Sequence, residues 1–209
     1  MEGVPLTLAE QTEKLIDLGV NDLADITADD LRAHARKLCD APGAIIAVHP
    51  ALVPPGRLAS ILTRHGKPGF VVVDMTDLDQ FEPIAGVEIP DAPLYLIHDA
   101  NRGDEMRNWT PNEALPAITS LGRSPLTISE GISWLLQEPK LLEPNQCFMT
   151  IASRLPQGSR LDARTPAIWI SGGTGRDGKS NKNAPKVGWC WAGKRHTWLG
   201  FATTGQRGT

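Results

Sequence analysis

Two apolar runs that read as buried strands, Phe70–Val73 and Leu94–Ile97, are separated by a stretch holding Pro83, Pro90 and Pro93. A proline within a helix deletes a backbone hydrogen bond and clashes with the turn before it. This stretch therefore has no room for the crossover helix that neighbouring parallel strands need. That argues against a regular doubly wound sheet. The preceding interval differs, because Ala44–Val48, a short helix predicted over Pro55–Arg64, and Phe70–Val73 follow one another in βαβ-like order. The expected fold is α+β (or mixed α/β), a single domain over 1–209 with N-terminal and central helices and a mixed sheet including C-terminal antiparallel strands. Within it, 1–40 reads as a helical N-terminal segment, 41–203 as the α/β body and 204–209 as a flexible tail.

Local chemistry places the helices. Leu8, Leu15, Ile16 and Leu18 predict an amphipathic first helix, with Gly19 where a C-terminal cap belongs. Thr27 and Asp30 form a variant capping box ahead of Leu31, Ala35 and Leu38. Thr110-Pro111-Asn112-Glu113 and Thr127-Ile128-Ser129-Glu130 each put Thr at the N-cap and Glu three residues on, where the two side chains satisfy each other's backbone donors. The first of these helices should be shortened or kinked by Pro116, and the second should stop before Pro139. Beyond Pro144 the pattern turns to strands at Cys147–Ala152, Ala167–Ile170, Val187–Trp191 and Thr197–Ala202, the last two predicted as a hairpin around Gly193.

The apolar runs are far shorter than the roughly 20 residues a membrane helix needs. Met1, Glu2 and Gly3, followed by Glu10 and Glu13, are acidic where a signal peptide is basic. A cytoplasmic protein without membrane contact is expected, with Cys39, Cys147 and Cys190 as reduced thiols. The net charge of −3 hides an asymmetry: residues 1–150 carry 11 Lys and Arg against 22 Asp and Glu, residues 151–209 carry 10 against 2. The basic part can meet an acidic partner or nucleic acid, or it can be neutralised by the chain's own acidic part; the balance of charge favours the latter.

Gly173-Thr174-Gly175-Arg176-Asp177-Gly178-Lys179-Ser180 satisfies GxxxxGK[ST], the spacing that wraps backbone N–H groups around a phosphate. The helix that must follow is not supported, since Asn181, Lys182, Asn183, Ala184 and Pro185 form helices poorly. The alternative is a glycine-rich β–β connection. His98-Asp99-Ala100-Asn101-Arg102-Gly103-Asp104-Glu105-Met106-Arg107-Asn108 is a polar loop following a strand end. His98, Asp99, Asp104 and Glu105 are candidates for acid–base chemistry or a hard cation, Arg102 and Arg107 for an acidic ligand; the alternative is that they pair with one another. Asp74 and Asp77 follow another strand, where they bind a ligand or make turns. Trp169, Trp189, Trp191 and Trp198 stand near Lys186, Lys194, Arg195 and His196, which suits stacking on a ring, although core packing is the commoner fate of tryptophan. His196 is a further acid–base candidate.

The chain resembles, over most of its length, an actinobacterial protein family whose function is not established. The resemblance rests on Gly66-Lys67-Pro68-Gly69-Phe70-Val71-Val72, Asn145-Gln146-Cys147-Phe148-Met149, Asp162 to Ser171 and Pro185-Lys186-Val187-Gly188-Trp189-Cys190-Trp191. It implies no activity. The residues lead to a small-molecule site, with or without catalysis, where loops 74–79, 98–108 and 172–186 converge, with Asp74, Asp77, Arg102, Arg107, Arg176 and Lys186 as ligand contacts. A non-enzymatic interaction module using the basic end is the alternative, and nucleotide binding through Gly173–Ser180 the third reading. The residues name no cofactor, no metal set and no oligomeric state.

Overall fold

A computed structural model describes residues 5–39 and 41–209; Met1, Glu2 and Gly3, read above against a signal peptide, lie outside them. In chain order the main elements are α1 (Leu8–Asp17), α2 (Val20–Leu23), α3 (Ala28–Ala35), β1 (Ile45–Val48), α4 (Pro55–Ala59), β2 (Phe70–Val71) and β3 (Leu94–His98). They continue with α5 (Pro111–Ser120), β4 (Ser124–Pro125), α6 (Ile128–Gln137), β5 (Cys147–Met149), β6 (Arg164–Ile170), β7 (Pro185–Trp191), β8 (Leu199–Phe201), β9 (Thr203–Thr204) and β10 (Gln206–Gly208). The capping boxes at Thr7, Thr27, Thr110 and Thr127 all close, and each starts its helix one residue later. Pro116 does not shorten α5, which runs through it to Ser120.

Two sheets carry the core of this α+β domain. An antiparallel sheet has the order β1-β3-β10, and a mixed sheet the order β8-β5-β6-β7-β2. In the mixed sheet β6 pairs antiparallel with β5 and β7, while β8 and β2 add parallel strands at the two edges. Between the sheets lies α6, all ten of whose residues are buried. Ile128, Ile132, Leu135 and Leu136 form its buried apolar stripe, its buried Ser133 accepts from the Val48 N–H of β1, and Gly131 approaches the mixed sheet. A Cβ at 131 would stand 2.5 Å from Thr150 Cγ2 and 3.1 Å from the Phe148 ring, so glycine there allows the helix to touch the mixed sheet. Trp134 completes this contact, its ring centroid 5.8 Å from that of Phe148. Burying side chains of this size contributes about 1.5–3 kcal/mol each.

The open edge of β1 is closed by side chains rather than by another strand. Gln11 Nε2 donates to Ala44 O at 2.8 Å and its Oε1 accepts from the Ile46 N–H at 2.8 Å, while the Val48 N–H donates to Ser133 Oγ at 3.0 Å. These bonds satisfy a row of groups that would otherwise be unpaired in the interior.

Three expectations are corrected. The βαβ-like order does not yield one sheet, since β1 and β2 belong to different sheets. The strands on either side of Gly193 are no hairpin: β2 occupies the outer side of β7, the Val72 N–H donating to Val187 O, so the chain crosses to the far edge and β8 pairs with β5. Residues 206–208 are not a flexible tail; β10 pairs with β3, matching Gln206 to His98 and Gly208 to Leu96. Arg207 anchors that strand, its guanidinium donating through Nη2 to Glu130 Oε2 at 2.8 Å and to Pro125 O at 2.8 Å. Glu130 is wholly buried and also accepts from the Tyr95 hydroxyl at 3.1 Å and the Thr127 N–H at 2.7 Å.

Candidate tryptophan-lined cleft

Alternation along β6 sends Ile168 toward α6 and Trp169, partly buried, to the opposite face of the mixed sheet. Its cross-strand neighbour in β7 is Lys186, whose ammonium lies 4.8 Å from the indole centroid. Trp198, which precedes β8, meets Trp169 edge to face at 6.1 Å, and His196 meets Trp198 at 5.5 Å. Burial lowers the pKa of His196, which keeps the imidazole neutral near pH 7. Gly188 lies beneath Trp169, and a Cβ there would stand 2.5 Å from the indole. Together the two tryptophans wall a cleft of about 410 Å³, also lined by Asn145, Cys147, Ser171 and Asn183.

Cations surround the cleft. Arg64 donates to Leu142 O at 3.1 Å and to Glu143 at 3.1 Å, and Arg102 bonds Asp104, Leu141 O and Gln146. Arg107 reaches Asp104 at 2.9 Å. Burial pushes the Cys147 thiol up, and these three guanidiniums oppose that shift without reversing it.

The glycine-rich segment does not form a phosphate cradle. After β6 it makes two single turns, Gly175–Asp177 and Lys179–Asn181, and then returns into β7 with no helix between. The anion at its centre belongs to the chain: Asp177 accepts from Lys186 Nζ at 2.7 Å and from Ser171 Oγ at 2.8 Å. The loop closes because Gly173, at φ +69°, lies against Lys182; a Cβ at 173 would stand 2.4 Å from Lys182 Cβ.

One of the three predicted loops lines the cleft. Loop 172–186 lines it through Gly172 and Asn183, whereas loop 98–108 contributes no lining residue and comes near it through Arg102, which donates to Gln146 between Asn145 and Cys147. Loop 74–79 lies beyond β2 at the opposite edge from β8, where Asp74 pairs with Arg176 at 2.7 Å and Asp77 with Arg164 at 2.6 Å. Loops 74–79 and 172–186 meet through Asp74 and Arg176, but all three do not converge, because the short Gly103–Met106 turn packs on edge strand β8 while 74–79 follows edge strand β2. His98 ends β3 and its carbonyl accepts from Thr204 Oγ1 at 2.7 Å. Asp99, at φ +50°, pairs with Arg123, and Glu105 is exposed. Among the described residues no group of three or more His, Cys, Asp and Glu is placed to hold a metal ion. Trp191 is 46% exposed rather than in the core, and it meets Trp189 at 4.6 Å. Arg64, Asn145 and Asn183 have no local signature in the sequence, because only the sheet order brings them beside Trp169.

A larger cleft of 680 Å³ lies between α1 and residues 137–140, but its Lys14 already donates to Gln137 O at 2.7 Å and its walls hold no aromatic side chain. The charge asymmetry closes in part within the chain: Arg164, Arg176, Arg195 and Arg207 each pair with a carboxylate from the first 150 residues, namely Asp77, Asp74, Glu113 and Glu130. No helix among the described residues is long and apolar enough to cross a membrane.

A family match covers residues 14–209, which is most of the chain. The chain belongs to DUF5701, a family of unknown function. No curated protein and no solved structure matches it. For this DUF5701 chain the cleft geometry is therefore the ground on which a function is argued.

Proposed function

We propose that the protein binds a small molecule carrying a flat ring in the cleft walled by Trp169 and Trp198. The observation that carries this reading is the edge-to-face pair of partly buried indoles in the wall of the cleft. The cleft volume of about 410 Å³ falls in the usual range for small-molecule sites. Asn145 and Asn183 supply polar groups at its walls, and Lys186 strengthens the site by holding Trp169 between a cation and a neighbouring ring. Ring stacking on such a wall is worth about 1–3 kcal/mol per ring.

The test is a thermal-shift panel of nucleosides, aromatic carboxylates and heteroaromatic amines. A ligand at 100 times its Kd adds about 2.7 kcal/mol, which in a chain of this size raises Tm by about 5–11 °C. The shift should vanish in Trp169→Ala/Trp198→Ala. An equal shift in that variant, or none anywhere in the panel, removes the reading.

A further inference from the structure

Three lysines without an ion-pair partner among the described residues, Lys67, Lys179 and Lys182, lie on the segments that flank the cleft-lining residues Gly172 and Asn183. The fold gathers them from two distant parts of the chain. Lys67 Nζ donates to Ser180 O at 2.7 Å, which fixes its ammonium against the turn that holds Lys179. Lys182 is pinned by its contact with Gly173, and its successor Asn183 forms part of the cleft wall. Arg64 reaches the same place, Nη1 lying 3.4 Å from Asn183 O. The carboxylates nearby are already taken, Glu143 by Arg64 and Asp177 by Lys186. The mouth therefore carries an excess of positive charge of about the number of these lysines, next to an aromatic wall.

Resting on the cleft reading above, we propose that the ligand is a nucleoside polyphosphate, its base against Trp169 and Trp198 and its phosphate chain along Lys67, Lys179 and Lys182. This is not a P-loop, because Gly173–Ser180 leads into strand β7 rather than an α-helix, and the carboxylate of Asp177 at its centre is held by Lys186 and Ser171. The phosphates meet lysine ammonium groups on the outside of the loop. Lysine suits that role as a compact charge on a long stem that needs no fixed geometry. A nucleic acid is disfavoured by extent: binding a polymer commonly engages about 6–10 phosphates, and three lysines match one nucleotide's chain.

The experiment is titration of intrinsic tryptophan fluorescence with the four common ribonucleosides, their triphosphates, inorganic tripolyphosphate and a short single-stranded oligonucleotide. At least one triphosphate should bind about tenfold or more tighter than its nucleoside, since each charged contact is worth about that factor. In Lys179→Ala/Lys182→Ala the increment should collapse while the nucleoside affinity is unchanged. Equal affinity for nucleoside and triphosphate, or an increment that survives in the double variant, overturns the phosphate strip and leaves the ring cleft standing. An oligonucleotide that binds far more tightly than any triphosphate, with a salt dependence corresponding to more than about three phosphates, overturns it in favour of nucleic acid. Absence of quenching by any of these probes overturns this proposal, while the carboxylates and amines of the thermal panel still decide the cleft reading.

Discussion

Arg207→Met tests whether the buried ion pair holds the two halves of the fold together. In the folded chain the Arg207 side chain is 7% exposed and that of Glu130 0%. Methionine keeps much of the apolar stem but removes every donor to Glu130, Ser124 Oγ and Pro125 O. Glu130 is then left as an uncompensated charge beneath β10, still accepting from Tyr95 and the Thr127 N–H. Removing one partner of such a pair costs about 3–5 kcal/mol, which corresponds to a Tm about 6–20 °C lower for a chain of this length. Urea unfolding followed by far-UV circular dichroism gives the free energy, and amide exchange along β3 reports whether β10 has detached. In Glu130→Gln/Arg207→Met the neutral amide keeps the cap and removes the stranded charge, so the double variant should be more stable than the single one by at least about 1 kcal/mol. A loss below about 1 kcal/mol in Arg207→Met, the range of exposed pairs, would refute the reasoning. So would a double variant no more stable than the single.

Other expectations follow from contacts described above. Gly131→Ala should lose about 1–3 kcal/mol in the same urea assay, because its Cβ would stand 2.5 Å from Thr150 in a packed layer that cannot retreat. Arg164 holds the carboxyls of Asp77 and Asp162 below their usual range through hydrogen bonds. Their folded-state pKa values are depressed, so this stability is present above the unfolded value of about 3.9 and is lost as pH falls through the folded values. Arg164→Gln should flatten the stability–pH curve below about pH 4. With a thiol reagent at pH 8, exposed Cys39 should react fast and Cys190, pushed up to about 12 by burial, only on unfolding. Equal rates for all thiols would contradict the burial of Cys147 and Cys190.

What the sequence made legible was local. The capping boxes at Thr110 and Thr127 give helix starts because donors and acceptors three residues apart decide the matter on their own. The strand runs at Ile45–Val48 and Leu94–His98 are legible for the same reason, as continuous apolar segments buried on both faces. Pairing was not legible. Gln206 to Gly208 have no apolar side chain to mark a strand, and their place is set by Glu130, far away in the chain. The supposed turn at Gly193 looks like a hairpin until β2 is seen to fill the outer edge of β7. The cleft was legible in half: Trp169, Trp198 and Lys186 stand out as aromatic and basic residues. Their partners Arg64, Lys67 and Asn145 are ordinary polar residues until the sheet order brings them to one side.

The antiparallel sheet also sets a schedule for synthesis. While the chain is still leaving the ribosome, β3 has one open flank and Glu130 sits beside it with no guanidinium to meet, although nearly all the apolar residues have already been made. The domain can collapse early but locks only once Arg207 has emerged, so nascent chains arrested before Arg207 should remain open to proteases and chaperones that ignore the locked fold.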